Sequence, residues 1–236
     1  MASDFPVVFA LYPDVTQLDF TAPLEVLARL PQARIVLASA TGGELTASGM
    51  TFANLRPLAQ VGECALLCVP GGFGCSAAME DPEYLRGLCR LATQARYITS
   101  VCTGSLLLGA AGLLRGRRAA CHWAFRELLA LFGAIPDDAR VVRDGNVFSG
   151  GGVTAGIDMA LTLCAEIAGA AHAQAVQLAM EYAPEPPFDA GRPETAPPEI
   201  IAAVSERFER VWPERLAAAQ RAAQALTSDF AQAGRV

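Results

Sequence analysis

The chain has 236 residues, of which 53% are hydrophobic and 18% charged, and its 18 basic and 24 acidic side chains leave a net charge of −6. A chain this apolar is not disordered, and its length buries a sizeable core in one large domain or two small ones. The longest basic cluster is the pair Arg117-Arg118, so nucleic acid is not an expected partner: binding it takes a basic stripe that neutralises phosphates.

In chain order, residues 6–12 (PVVFALY) form the first predicted strand, and a helix is predicted over 23–30 with Thr21 as N-cap and Pro23 in its first turn. Residues 33–40 (ARIVLASA) form a second strand, and 44–54 a β-hairpin. The runs 64–69 (CALLCV) and 97–101 (YITSV) are two more strands, separated by a helix over 82–95 that opens at Asp81-Pro82. Helices follow over 105–114 and 124–132, then a hairpin over 140–149 with Asp144-Gly145-Asn146 at its tip, then a helix over 157–168. The strands are apolar on both faces, as in parallel sheets covered on both sides. Such β-α alternation predicts a doubly wound, mostly parallel α/β sandwich of flavodoxin-like type with inserted hairpins, over residues 1–183. Six of the fifteen residues from 184 to 198 are proline, which predicts an extended strap. An alanine-rich helical tail over 199–225 then packs on the core or against a second subunit, so 184–236 is read as an appendage.

The uncharged run 97–114 carries Thr, Ser, Cys and Gly in its first half and reads as strand, turn and buried helix; no membrane span is expected. The seven cysteines contain no C-x-x-C pair, and residues 1–4 show no basic leader. A reducing, cytoplasmic setting without disulfides is the expectation.

The passage ITSVCTGSL, residues 98–106, carries the chemistry. A buried strand runs into Cys102, followed at once by a glycine-containing helix start. That elbow places the sulfur at the carboxyl end of the sheet and the amino end of a helix, where thiolate is favoured and the Cys102 pKa should fall. Cys64, Cys68, Cys89, Cys121 and Cys164 sit inside apolar patterns and read as core. A second passage, Pro70-Gly71-Gly72-Phe73-Gly74, ends the preceding strand; it is either a tight turn or a backbone cradle facing the same sheet edge as Cys102. Asp19, between Leu18 and Phe20, is either a solvent-exposed helix-start residue or a partly buried acid whose pKa burial would raise. Neither His122 nor His172 begins an H-x-E sequence or joins a ligand cluster; both read as structural, and neither a metal nor a cofactor is expected.

These segments together — PVVFALYPDVTQLDFTAPLEVL, CALLCVPGGFG, YITSVCTGSLLLGAAGLLRGRRAACHW and GNVFSGGGVTAGIDMAL — resemble the DJ-1/PfpI superfamily, and within it the isonitrile hydratases, to whose tail MEYAPEPPFDAG is also similar. The likeness covers about residues 5–195. Thr103 follows the cysteine where PfpI-type proteases have histidine, the downstream H-x-E of glutamine amidotransferases is absent, and Asp19 stands where DJ-1 has glutamate. Fewer than forty residues follow Glu199 and they are not basic, which does not fit the helix-turn-helix pair of AraC-type fusions.

The resemblance implies hydration of an isonitrile by water to an N-substituted formamide, with Cys102 as nucleophile, a thioimidate intermediate and Asp19 as general acid and then base. Thr103 would support the sulfur and Gly72 would supply a backbone donor. Phe73, Gly152 and Val153 would border an apolar substrate pocket. It also implies a homodimer. Two other readings remain: a redox or stress-response protein whose Cys102 is oxidised, and a non-catalytic ligand-binding domain.

Overall fold

The computed structural model describes residues 4–233, with side chains through 228. Its strands are β1 (Phe5–Ala10), β2 (Ala33–Ser39), β3 (Gly43–Ala47), β4 (Met50–Pro57), β5 (Leu66–Val69), β6 (Tyr97–Val101), β7 (Arg118–Ala120), β8 (Ile135–Asp137), β9 (Val141–Asp144) and β10 (Val147–Gly150). The helices are α1 (Leu18–Leu27), α2 (Cys75–Met79), α3 (Pro82–Ala92), α4 (Gly104–Ala110), α5 (Ala155–Ala168), α6 (Ala170–Ala179), α7 (Pro198–Glu209) and α8 (Trp212–Ala233).

An eight-stranded sheet runs in the order β3-β4-β2-β1-β5-β6-β10-β9. Its centre, from β4 through β10, is parallel, and the hairpins β3-β4 and β9-β10 add an antiparallel strand at each edge. Every residue of β5, β6 and β10 is buried, the result of helices covering both faces. One helical group is α1, α5 and α6; the other is α2, α3, α4 and α8. The chain leaves β1 toward β2 and later returns to β5 on β1's other side. The sheet therefore has a topological switch point between β1 and β5, where open α/β sheets form crevices at their carboxyl ends. The doubly wound expectation and both hairpins are present.

Several boundaries differ from the sequence expectation. The first helix starts at Leu18, so Thr21 is no N-cap; its hydroxyl donates to the Gln17 carbonyl (3.0 Å) inside the helix. The earlier start follows from a tertiary clamp: Thr16 N–H donates to the Gly71 carbonyl (2.9 Å), and Val15 forms a β-bridge with Gly72. The segment expected as a helix over 124–132 is a 3-10 helix over Arg126–Phe132 that ends at Gly133 in the left-handed region (φ 70°). The two-stranded β7-β8 sheet that flanks it was not foreseen. The strap is not the extended segment expected over 184–198: it bends repeatedly and makes a turn in which the Thr195 and Ala196 N–H groups donate to the Arg192 carbonyl (3.1 and 2.9 Å), and Pro198 already begins α7. The tail is two helices, broken where Pro213 enters the first turn of α8, and α8 packs on the core through Ala218, Ala219 and Ala222.

Buried hydroxyls join the layers near the carboxyl edge. Ser105 Oγ pairs with Ser100 Oγ (2.9 Å) and donates to the Ala120 carbonyl (2.5 Å), while Ala120 N–H donates to Ser149 Oγ (2.8 Å). Gly104, at the start of α4, lies so close to β5 that a Cβ there would overlap the Val69 carbonyl oxygen and stand 2.9 Å from the Pro70 carbonyl. Backbone cannot yield as a side-chain end can. Gly104→Ala should therefore lower the unfolding free energy by about 3 kcal/mol, read as a lower urea midpoint at unchanged slope.

Candidate active site

Three loops meet at the switch point. After β1 the chain enters α1 with Asp19 in the first turn; after β5 comes Gly71-Gly72; after β6 come Cys102 and Thr103. Cys102 has φ 57°, a left-handed conformation costly for a residue with a Cβ, and its N–H donates to the Gly150 carbonyl at 2.9 Å. This is the strand-to-helix elbow, held on its other side by the end of β10.

Asp19 is 1% exposed, which decides between its two readings. Its Oδ2 accepts the Gly71 N–H at 3.0 Å. Its Oδ1 is buried without a well-formed hydrogen bond among the described residues, although the Cys102 thiol is close enough to interact with the carboxylate. A helix start favours an anion by only about 0.3–1 kcal/mol, whereas burying a carboxylate costs several kcal/mol. Burial wins, and the Asp19 pKa rises to about 7 against the smaller opposing effects of Gly71 N–H and Cys102. Gly71 has to be glycine here: a Cβ would stand 2.5 Å from Thr103 N and 2.8 Å from Asp19 Oδ2.

The expected depression of the Cys102 pKa is not found. Cys102 is 6% exposed, and burial pushes its thiol pKa well up, with the Asp19 charge and then Cys121 adding to the rise; the Thr103 N–H opposes them. The helix behind it, α4, has only seven residues, too little dipole to offset that burial. The Cys102 thiol thus stands beside a carboxyl that titrates near neutrality.

Thr103 acts on the loop after β5. Its hydroxyl accepts the Gly72 N–H (3.0 Å) and its carbonyl accepts from Cys75 Sγ (3.4 Å). The Gly72 N–H, expected to face a reacting group, is thus already engaged. Phe73 and Val153 do border a cavity of about 110 Å³ with Cys102, Thr103 and Gly72. Gly152 does not; it lines an adjoining cleft of about 230 Å³ that shares His122 and Val153 with the first.

The rest of the cavity wall was missed by sequence reasoning: Thr16, His122, Phe125, Phe208 and Arg215. Arg215, from α8, is 2% exposed. It donates to the Gly72 carbonyl (3.1 Å) and the Phe73 carbonyl (3.0 Å), and stacks on the Phe125 ring at 4.4 Å. A signal existed: Arg215 stands in register with Ala218, Ala219 and Ala222 on the buried stripe of α8, an odd place for a cation. His122, expected to be structural, borders the cavity, and its pKa falls to about 4 through burial and then the Arg215 charge. Among the described residues no group of three or more His, Cys, Asp or Glu is arranged to hold a metal ion, and no helix is long and apolar enough to cross a membrane.

The DJ-1/PfpI family model matches residues 6–166. The chain belongs to the DJ-1/PfpI family. Among its DJ-1/PfpI relatives, the isonitrile hydratase of Pseudomonas putida is 53% identical over 196 residues, covering 82% of this chain and 85% of that protein. The crystal structure of a ThiJ/PfpI family protein from Pseudomonas syringae superposes with a TM-score of 0.89 at 39% identity, covering 92% and 91% of the two chains. Drosophila melanogaster DJ-1beta, at 23% identity and TM-score 0.68, covers 77% of this chain and 100% of its own; it shares the fold. Arg215 and Phe208 lie beyond the matched family region, so this DJ-1/PfpI member closes its cavity with its own tail.

Two outcomes follow. Because the native Asp19 pKa (about 7) exceeds the ordinary 3.8, the stability its proton confers is complete below about pH 4 and is lost as pH rises through 7. Asp19→Asn should thus gain on wild type by on the order of 2 kcal/mol at pH 8 and show no such gain at pH 4, as read by urea unfolding at both pH values. Arg215→Met should destabilise the fold by about 2 kcal/mol and raise the His122 pKa above its present value of about 4, measured by NMR titration of the imidazole.

Proposed function

We propose that the protein is an isonitrile hydratase, converting an isonitrile and water to an N-substituted formamide without a metal. The observation that carries the reading is the Cys102 thiol bordering a small, mainly apolar cavity, next to a buried Asp19 carboxyl that titrates near pH 7 and does not itself line that cavity. Identity of 53% to the Pseudomonas putida isonitrile hydratase supports it.

Asp19 takes the Cys102 proton and the sulfur attacks the terminal carbon of the isonitrile. Asp19 returns that proton to the same carbon, leaving a thioimidate, R–N=CH–S–Cys102. Water then adds across the C=N bond, its oxygen to carbon and one hydrogen to nitrogen, with Asp19 relaying the proton. The C–S bond breaks, the formamide leaves, and the second water proton returns to the sulfur. A carboxyl with a pKa near the working pH suits both directions of transfer, and one group that first accepts and then donates leaves no need for a histidine base. Thr103 N–H supports the sulfur, while Thr103 Oγ1 and Arg215 hold the Gly72–Phe73 lip. The R group lies against Phe73, Phe125, Val153 and Phe208. Oxidation of Cys102 as the main role is disfavoured by its burial and raised pKa, since susceptibility follows thiolate character and exposure.

Incubation with cyclohexyl isocyanide should give the formamide by mass spectrometry. Cys102→Ala should abolish conversion, and Asp19→Asn should keep the fold but lose at least about 100-fold in kcat. Steady turnover by the Cys102→Ala variant would sink the nucleophile assignment.

A further inference from the structure

His122 has no step in the mechanism above, yet it borders the same cavity as Cys102 and Thr103. It follows β7 and is seated among aromatic rings: Phe208 edge-on at 5.0 Å, Trp123 stacked at 5.7 Å and Phe125 at 6.1 Å. Its Nδ1 accepts the Ala124 N–H at 3.3 Å. A neutral imidazole that accepts at Nδ1 carries its hydrogen on Nε2. The ring is kept neutral by burial and by Arg215, and Nε2 has no hydrogen-bond partner among the described residues. A neutral imidazole N–H donor, its ring fixed by the Nδ1 contact and the aromatic cluster, thus belongs to a residue of the cavity wall.

The proposed substrate changes in the one respect that such a donor can sense. In R–N≡C the nitrogen has no free lone pair, because all its valence electrons are in bonds. When the S–C bond forms and the proton adds to the same carbon, one C–N π pair becomes a nitrogen lone pair in R–N=CH–S–Cys102. We propose that His122 is a further catalytic residue, donating its Nε2–H hydrogen bond to that nitrogen as the thioimidate forms. The inference rests on the hydratase reading. The bond is absent in the bound substrate and present on the way to the intermediate, so it raises kcat without tightening substrate binding. The imidazole keeps its proton throughout; the nitrogen's hydrogen comes from water in the second stage.

His122→Phe retains a ring for the aromatic cluster and removes the donor, whereas His122→Asn retains a donor on a smaller side chain. His122→Phe should lose roughly 10- to 100-fold in kcat with KM changed less than about threefold, and His122→Asn should recover part of the loss. Long-range 1H–15N spectra of the wild-type imidazole, which need no variant, should show the Nε2–H tautomer. Wild-type kcat in His122→Phe, a loss confined to KM, or the Nδ1–H tautomer would each overturn the proposal while leaving the hydratase reading intact. A wild-type protein that forms no formamide overturns both.

Discussion

Two backbone N–H groups at the end of β5 tie the site together: Gly71 donates to the Asp19 carboxylate and Gly72 to the Thr103 hydroxyl, each at 3.0 Å. They join the loops after β1, β5 and β6 across the topological switch point. The contact is so close that no side chain fits at Gly71. Its consequence is burial: Asp19 is drawn out of water against Cys102, and both groups lose the solvation that would charge them. The chemistry proposed for the pair depends on that dryness more than on any helix dipole. The elbow at Cys102 and the overlap of Gly104 with β5 serve the same closure.

A second constraint comes from the far end of the chain. The α8 cation sits under the lip formed by Gly72 and Phe73, held by two carbonyls and an aromatic face, while its Nε is buried without a hydrogen bond among the described residues. A buried guanidinium without a carboxylate partner is costly, so its placement binds the tail to the loop after β5. Its charge also adds to burial, the larger cause, in lowering the His122 pKa. In this way one residue of the tail shapes the cavity wall and reinforces the neutrality of a group on it.

Much of the architecture was legible. Strands apolar on both faces and the strand–Cys102–Thr103–Gly104 transition are local signals, and they led to the sheet and the elbow; the pairing of Cys102 with Asp19 was implied only by the family resemblance. The errors were of two kinds. The start of α1 was set by contact with the loop after β5, which overrides propensity, and the 3-10 form of Arg126–Phe132 differs from the α-helical pattern of its sequence. The Cys102 pKa was misjudged because sequence shows the helix behind the sulfur but not how completely water is removed from it.

By itself, the sequence determined the fold class and the place of Cys102 at a sheet edge, since periodicity and turn chemistry are carried by neighbouring residues; the role proposed for Asp19 came from the family resemblance. Only the tertiary structure decided that Asp19 is buried, that the Gly72 N–H is engaged by Thr103, and that Gly152 faces the adjoining cleft. It alone brought Arg215 and Phe208 to the cavity, more than a hundred residues from Cys102. Desolvation and long-range contact depend on how every layer packs, and no local stretch of chain encodes that.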